Sequence, residues 1–382
     1  MDFSLSDEQR MLEDTLGRFV SEDYTFEFRR SVLDSDAAFS RDTWSELAEL
    51  GVMGLLLPAE DGGLGGGGVE QMLLMEALGR GLVLEPVLAS VVLAGAVLRR
   101  GADSAQKERW CPGLISGERI FTLAFDERAA RGEPAWIATR ARRADGSYVL
   151  DGHKIAVAHG DCAERFIVAA RLEGEPGARH GLGLFGVPRD APGLSVHGYP
   201  TVDGQHGADL TLNGVRVRPE DVIGPPGMGA GILDYAIDCG LAALAAEAVG
   251  AMETLFHMTL DYLKTRKQFG VPLGHFQALQ HRAVDMRSSL EQARSLAVLA
   301  ANRLEAEEGE RARACAAAKV MAARSARRIG QEAVQLHGGI GMTLEYAAGH
   351  YFKRLTVIEQ ALGGVDRHLE RFAELGAQEQ TA

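Results

Sequence analysis

The sequence has no surplus of positive charge. Its 40 lysines and arginines are outnumbered by 53 aspartates and glutamates, leaving a net charge of −13. That balance argues against a general nucleic-acid or anionic-membrane surface, and any phosphate ligand must be met by local cations. Cysteine is scarce. Cys111, Cys162, Cys239 and Cys315 lie far apart with no CxxC pair. This argues against a zinc site or a disulfide framework and suits a reducing cytoplasm, the location expected here. Long apolar runs are missing too: ASVVLAGAVL at 89–98 is among the longest and is too short to span a bilayer. The start, MDFSLSDEQRMLEDTL, is acidic and amphipathic and resembles neither a signal nor a transit peptide. There is no HExxH, no GxSxG and no Ser-His-Asp signature. No metal site is expected, and His281 and His337 read as packing or capping residues. Repeats and low-complexity linkers are also absent.

What is there is a chain of 382 residues, 46% apolar and 24% charged, enough for two or three packed units of a soluble protein. Residues 1–118 show apolar residues at helical spacing in EQRMLEDTLGRFVSE, DTWSELAELGVMGLL, VEQMLLMEALGRGL and LASVVLAGAVLRRGA. From about 119 to 222 the segments are short and partly alternating, with turn signals at Asp145-Gly146 and Asp151-Gly152. Helical texture then returns, predicting long helices over 229–266, 275–305, 309–337 and roughly 343–376. The expected fold class is α+β: a helical domain at 1–118, a β-domain at 119–222 and a helical bundle at 223–382.

Two glycine clusters need weighing. Gly63 to Gly68 literally matches GxGxxG, but Pro58-Ala59-Glu60-Asp61 intervenes where a strand should be, so a flexible loop is expected. Gly227-Met228-Gly229-Ala230-Gly231 precedes a long helix, and either offers N–H groups to an anion or makes a plain helix-entry turn.

The stretch YLKTRKQFGVPLGHFQALQHRAVDM, residues 262–286, reads as helix on both flanks. Its middle sets two cations, an amide, an aromatic ring and a turn side by side, which a helix serving only the core would not need. Tyr262, Arg266, Gln268, Phe269, Gly270, Pro272, Leu273, Phe276, Gln277, Gln280, His281, Asp285 and Met286 together resemble the second signature of the acyl-CoA dehydrogenases. Gln335-Leu336-His337-Gly338-Gly339-Ile340-Gly341 resembles that family's C-terminal glycine motif, and Pro58 to Gly65 resembles its PEEYGGLG loop. The resemblance covers nearly the whole chain, and the family order is helices, β-domain, four-helix bundle.

It implies FAD as cofactor and an acyl-CoA thioester as substrate, with α,β-dehydrogenation as the reaction. Arg266 would hold the pyrophosphate with a planar, always-charged fork, and Phe269 would offer a face to adenine or ribose. Gln268 and Gln335 belong to the same motifs, while Gly338 and Gly339 would let backbone approach the phosphates. In the family these motifs grip the FAD of a neighbouring subunit. The bland alternative is that Arg266 pairs with a local carboxylate and Phe269 lies in the core.

Other motifs depart from the family. The segment that carries the base as Tyr-Glu-Gly-Thr in many members falls on Ala361-Leu362-Gly363-Gly364, so Leu362 occupies the base position. Glu359 lies one helical turn earlier and is the candidate base only if the backbone shifts. In members that carry the base before the Arg motif, its position falls on Gly240, with Asp238 and Glu247 out of register; Glu247 reads as a buried structural group. TEPxAGSD becomes Asp126 to Glu133, with Gly132 in place of the Ser, and the flavin-contacting Trp-Ile-Thr becomes Ala156-Val157-Ala158. Motifs offered across an interface are thus kept, while those serving the chain's own FAD are lost. This resembles the small-subunit branch of heteromeric members, the pimeloyl-CoA and steroid side-chain type; HYFKRLT at 350–356 and MEALGRGLVLEPVLAS at 75–90 add to that likeness. The expected partners are a second acyl-CoA dehydrogenase chain, in a dimer or tetramer, and an electron-transfer flavoprotein or similar acceptor. The alternatives are a self-sufficient homo-oligomer using Glu359, or a non-catalytic subunit binding acyl-CoA or a partner.

Overall fold

Residues 4–35 and 37–381 are described by the structure, a computed structural model. The first three residues of the acidic start lie outside them. The chain divides into two compact units, Met1–Ser31 with Gly67–Val83 and Leu241–Ala382, and Val32–Gly66 with Leu84–Gly240.

In the first unit, Glu308–His337 is flanked by the helices Gln277–Arg303, Ala347–Gln360 and Val365–Thr381. Its inward face is alanine-rich, including Ala316, Ala318, Ala322, Ala323 and Ala326, which lets the neighbouring backbones come close. The helices Gly68–Gly81 and Ala230–Thr265 meet at two glycines. A side chain on Gly79 would run into the Glu247 carbonyl, and one on Gly250 into the Glu76 carbonyl. An ion-pair network brackets this crossing, with Arg80 and Arg294 each reaching both Glu76 and Glu253.

The sequence pattern predicts one helix over 343–376, and here the structure differs. The chain forms Ala347–Gln360, breaks, and resumes at Val365–Thr381. Leu362 and Gly363 adopt φ of 57° and 100°, which no helix accommodates. The freed carbonyls are capped from a distance: the Lys319 ammonium donates to Ile358 and Ala361, and His368 Nε2 donates to Leu362 at 2.9 Å.

The second unit carries an eight-stranded sheet, with Leu194–Pro200, His206–Val217, Ser147–Ala158, Arg140–Ala144, Arg165–Arg171, Leu182–Pro188 and Val222–Ile223 in spatial order. Phe121–Ala124 pairs in parallel with Arg165–Arg171, whose Phe166, Ile167, Val168, Ala169 and Ala170 are all fully buried, as a strand covered on both faces requires. Asp145-Gly146 makes the expected hairpin turn, with positive φ at both residues and Ala144 paired with Ser147. Asp151-Gly152 is not a turn. It sits inside Ser147–Ala158 at a register shift, where a side chain on Gly152 would run into Thr139. Nor is the 63–66 cluster a loose loop: Leu64, Gly65 and Gly66 donate their N–H groups to Gly54, Leu57 and Leu55 at 2.8–2.9 Å. The 227–231 cluster is a helix-entry turn whose Gly229 N–H is spent on the Leu182 carbonyl at 2.7 Å.

Candidate cofactor-binding site

The segment that follows Tyr262 folds as a miniature hairpin. Arg266 closes the long helix, its N–H bonded to the Tyr262 carbonyl at 2.9 Å. Lys267–Gln268 then pairs with Val271–Pro272 around a two-residue turn. Phe269 and Gly270 have φ of 53° and 83°, the pair of left-handed residues that such a turn demands. Glycine meets that demand without cost, whereas a phenylalanine there stores about 1–3 kcal/mol of strain. The Phe269 ring is nevertheless 93% exposed, set edge-on to Phe276 at 6.2 Å and 88°. So Phe269 is not a core residue. Among the described residues Arg266 makes no ion pair, and it is exposed together with Gln268.

Gly338 ends the helix Glu308–His337 with φ 64° and ψ −140°, a conformation reserved for glycine. A Cβ on either Gly338 or Gly339 would point into open space. Gln335 and His281 are exposed. Ile340, Met342 and Leu344, which follow the glycines, are 42%, 69% and 60% exposed.

The acid residues weighed as bases are engaged elsewhere. Glu359 is buried and gripped by the Arg327 guanidinium through two bonds, one of them Nε to Oε2 at 3.0 Å. Glu247 is buried against Arg354. Asp238 is fully buried in the same long helix as Gly240. Leu362 lies in the break between the last two helices, with a positive φ and no ionisable group.

The strand that would face the chain's own flavin is also occupied. Ala156 sits in the register shift opposite Asp209, with φ 50°. Its N–H donates to Asp209 Oδ1 at 3.1 Å, and the Tyr199 hydroxyl donates to the same oxygen at 2.8 Å. Val157 is buried, and the Ala158 carbonyl accepts from Thr122 Oγ1 at 2.7 Å. Beside this strand lies a cavity of about 470 Å³, lined by Glu127, Arg128, Thr139, His153, Asp209 and Thr211. The Glu127 carboxylate is used up internally, accepting from Ala138, Thr139 and the Lys154 ammonium. Burial pushes the Lys154 ammonium down to about 8, against the pull of Glu127. Gly132 carries no hydroxyl where a serine would be needed.

Several groups around the motifs were not evident from spacing alone: the Lys319 cap, the Arg327–Glu359 fork, the Arg354–Glu247 pair, and the stacking of His337 between Tyr262 and Tyr346. The one signal available was the Gly363-Gly364 pair, a helix breaker in plain view.

Family models for the acyl-CoA dehydrogenase N-terminal, middle and C-terminal domains match residues 6–118, 122–216 and 227–375. The probable acyl-CoA dehydrogenase YngJ of Bacillus subtilis is 29% identical over 364 residues, covering 94% of this chain and 95% of the relative. Among solved structures, the ChsE4-ChsE5 complex from Mycobacterium tuberculosis superposes with a TM-score of 0.90 at 29% identity, covering 99% of both chains. The FAD complex of PigA superposes with a TM-score of 0.90 at 25% identity, covering 99% of this chain and all of that one. No helix among the described residues is long and apolar enough to cross a membrane.

Proposed function

The chain belongs to the acyl-CoA dehydrogenase family, whose members carry out FAD-dependent dehydrogenation of acyl-CoA thioesters, and we propose that it works as a subunit completing the FAD site of a partner chain. FAD, when bound, supplies the acceptor for the hydride leaving the β carbon. In this reading Arg266, Gln268, Phe269, Gln335, Gly338 and Gly339 hold the cofactor that the partner positions.

The observation that carries the reading is the Phe269 ring, almost fully exposed on a strained backbone beside an Arg266 that makes no ion pair among the described residues. Folding of this chain alone offers no return for that strain or that exposure, whereas a flat ligand laid against the ring does. The open Cβ positions of Gly338 and Gly339 fit a phosphate approached by backbone. The chain's own flavin-facing strand fits FAD poorly, because the Ala156 N–H is committed to Asp209 and Ala158 has no hydroxyl. The ChsE4-ChsE5 complex, named for two chains, supports the heteromeric form. Glu359 acts here as an anchor for the last helices and not as the base, since its carboxylate is held by a guanidinium. An electron-transfer flavoprotein or similar acceptor would reoxidise the complex.

The test is bound FAD per chain, measured by absorbance on the chain purified alone and after co-expression with a second acyl-CoA dehydrogenase chain from the same source. A colourless chain that enters a yellow complex, with about one FAD per two chains, is the expected result, and Arg266→Ala should then release FAD from the complex. One FAD per chain in the isolated protein would overturn the reading.

A further inference from the structure

Cofactor-motif residues sit on two separate segments, and one side chain joins them. His337 is buried immediately before Gly338. Its ring lies between Tyr262, at 4.7 Å and 33°, and Tyr346, at 5.2 Å and 53°. Nδ1 is 2.8 Å from the Ala333 carbonyl, which can only accept, so Nδ1 carries the proton. Nε2 is left to accept from the Tyr346 hydroxyl at 3.3 Å. Burial lowers the imidazole pKa, against the carbonyls of Ala333 and Met258.

Tyr262 leads to one motif, and His337 itself adjoins the other. Tyr262 is one turn before Arg266 and its carbonyl holds the Arg266 N–H, while the Arg266 carbonyl accepts from Leu273 to close the hairpin. On the other side, a Cβ on Gly341 would lie only 3.0 Å from His337 Cβ, so the Gly338–Met342 turn is folded down onto the histidine. Tyr346 then leads into Ala347–Gln360. We propose that His337 is a positioning residue, whose stacked ring sets the Gly338–Gly339 backbone in register with the Arg266–Phe269 hairpin so that both grip one FAD. This rests on the reading that these two motifs hold FAD.

The test is FAD affinity of the co-expressed complex, measured by flavin fluorescence, alongside its melting temperature, for Arg266→Ala, His337→Ala, His337→Phe and the Arg266→Ala/His337→Ala double variant. Loss of two ring contacts in His337→Ala should weaken FAD binding about tenfold. His337→Phe, which keeps a flat ring in the stack, should return affinity to within about threefold of the parent. The double variant should lose less than the product of the two single losses, because a misaligned hairpin has little left to lose when Arg266 goes. If His337→Ala does not fold, His337→Gln, which keeps a polar group without the ring, takes its place. A His337 variant that melts lower yet keeps parental FAD affinity, or losses that multiply in the double variant, would overturn the proposal while leaving the Arg266 reading intact. Unchanged affinity in Arg266→Ala would overturn both.

Discussion

Arg354 and Glu247 face each other as a fork on a fork: Nε meets Oε1 at 2.6 Å and NH2 meets Oε2 at 2.8 Å, with both side chains buried. This parallel geometry joins the long helix to Ala347–Gln360 and uses both oxygens of the carboxylate. Glu247 is therefore an anchor, in keeping with its reading as a buried structural group. Glu247→Ala takes the carboxylate away from a buried guanidinium and should cost about 3–5 kcal/mol in denaturant unfolding. Replacing both partners with methionine should recover most of that loss, because a buried pair is weakly stabilising relative to well-packed apolar groups. A double variant no more stable than Glu247→Ala would count against this account.

Glu359→Gln separates the candidate base from the anchor. Removing a true general base costs about 100-fold or more in turnover. The Arg327 fork predicts that the acyl-CoA dehydrogenase rate of the co-expressed complex changes by less than about threefold. A hundredfold loss at unchanged FAD content would identify Glu359 as the base after all.

The break at 361–364 makes an acid-sensitive joint. Burial holds the His368 imidazole down to about 4, while its bond to the Leu362 carbonyl works the other way. A histidine ordinarily titrates near 6.5, so between those values the unfolded chain binds the extra proton. The contribution is fully present above pH 6.5 and is lost as pH falls toward 4, up to roughly 3 kcal/mol. His368→Gln keeps an N–H donor for Leu362 and cannot protonate. Urea unfolding at pH 7.0, 5.5 and 4.5 should therefore show a shallower acid loss in the variant than in the parent. Parallel losses would show that His368 is not the titrating group.

The crossing at Gly79 and Gly250 has no room for a methyl group. Gly250→Ala would put its Cβ against the Glu76 carbonyl and push the two helices apart, even though alanine is the better helix former. Overpacking of this kind should cost about 1–3 kcal/mol, read as a lower denaturant midpoint with an unchanged slope. Increased stability would mean that the crossing relaxes freely.

Much of this protein was legible without coordinates because the signals are local. Helical and strand periodicities are set within a turn or a pleat, which is why the order of helices, sheet and helices could be read directly. The Asp145-Gly146 turn followed from two residues. Asp151-Gly152 misled because a dipeptide that favours a turn also suits a bulge, and the choice was made by Thr139 on the adjoining segment. The last helix misled because its apolar spacing continues through Leu362, while the carbonyls of Ile358 and Ala361 are capped by Lys319, 39 and 42 residues away.

By itself, then, the sequence determined the fold class and the family, since these depend on periodicity and on motifs contiguous in the chain. The tertiary structure alone decided which ionisable groups are free to act. Glu359 and Arg327, Glu247 and Arg354, and Ala156 and Asp209 are remote in sequence, and their pairing depends on how helices and strands pack. It also decided that Phe269 stands bare: the turn turns the ring outward, and among the described residues no other segment folds over it.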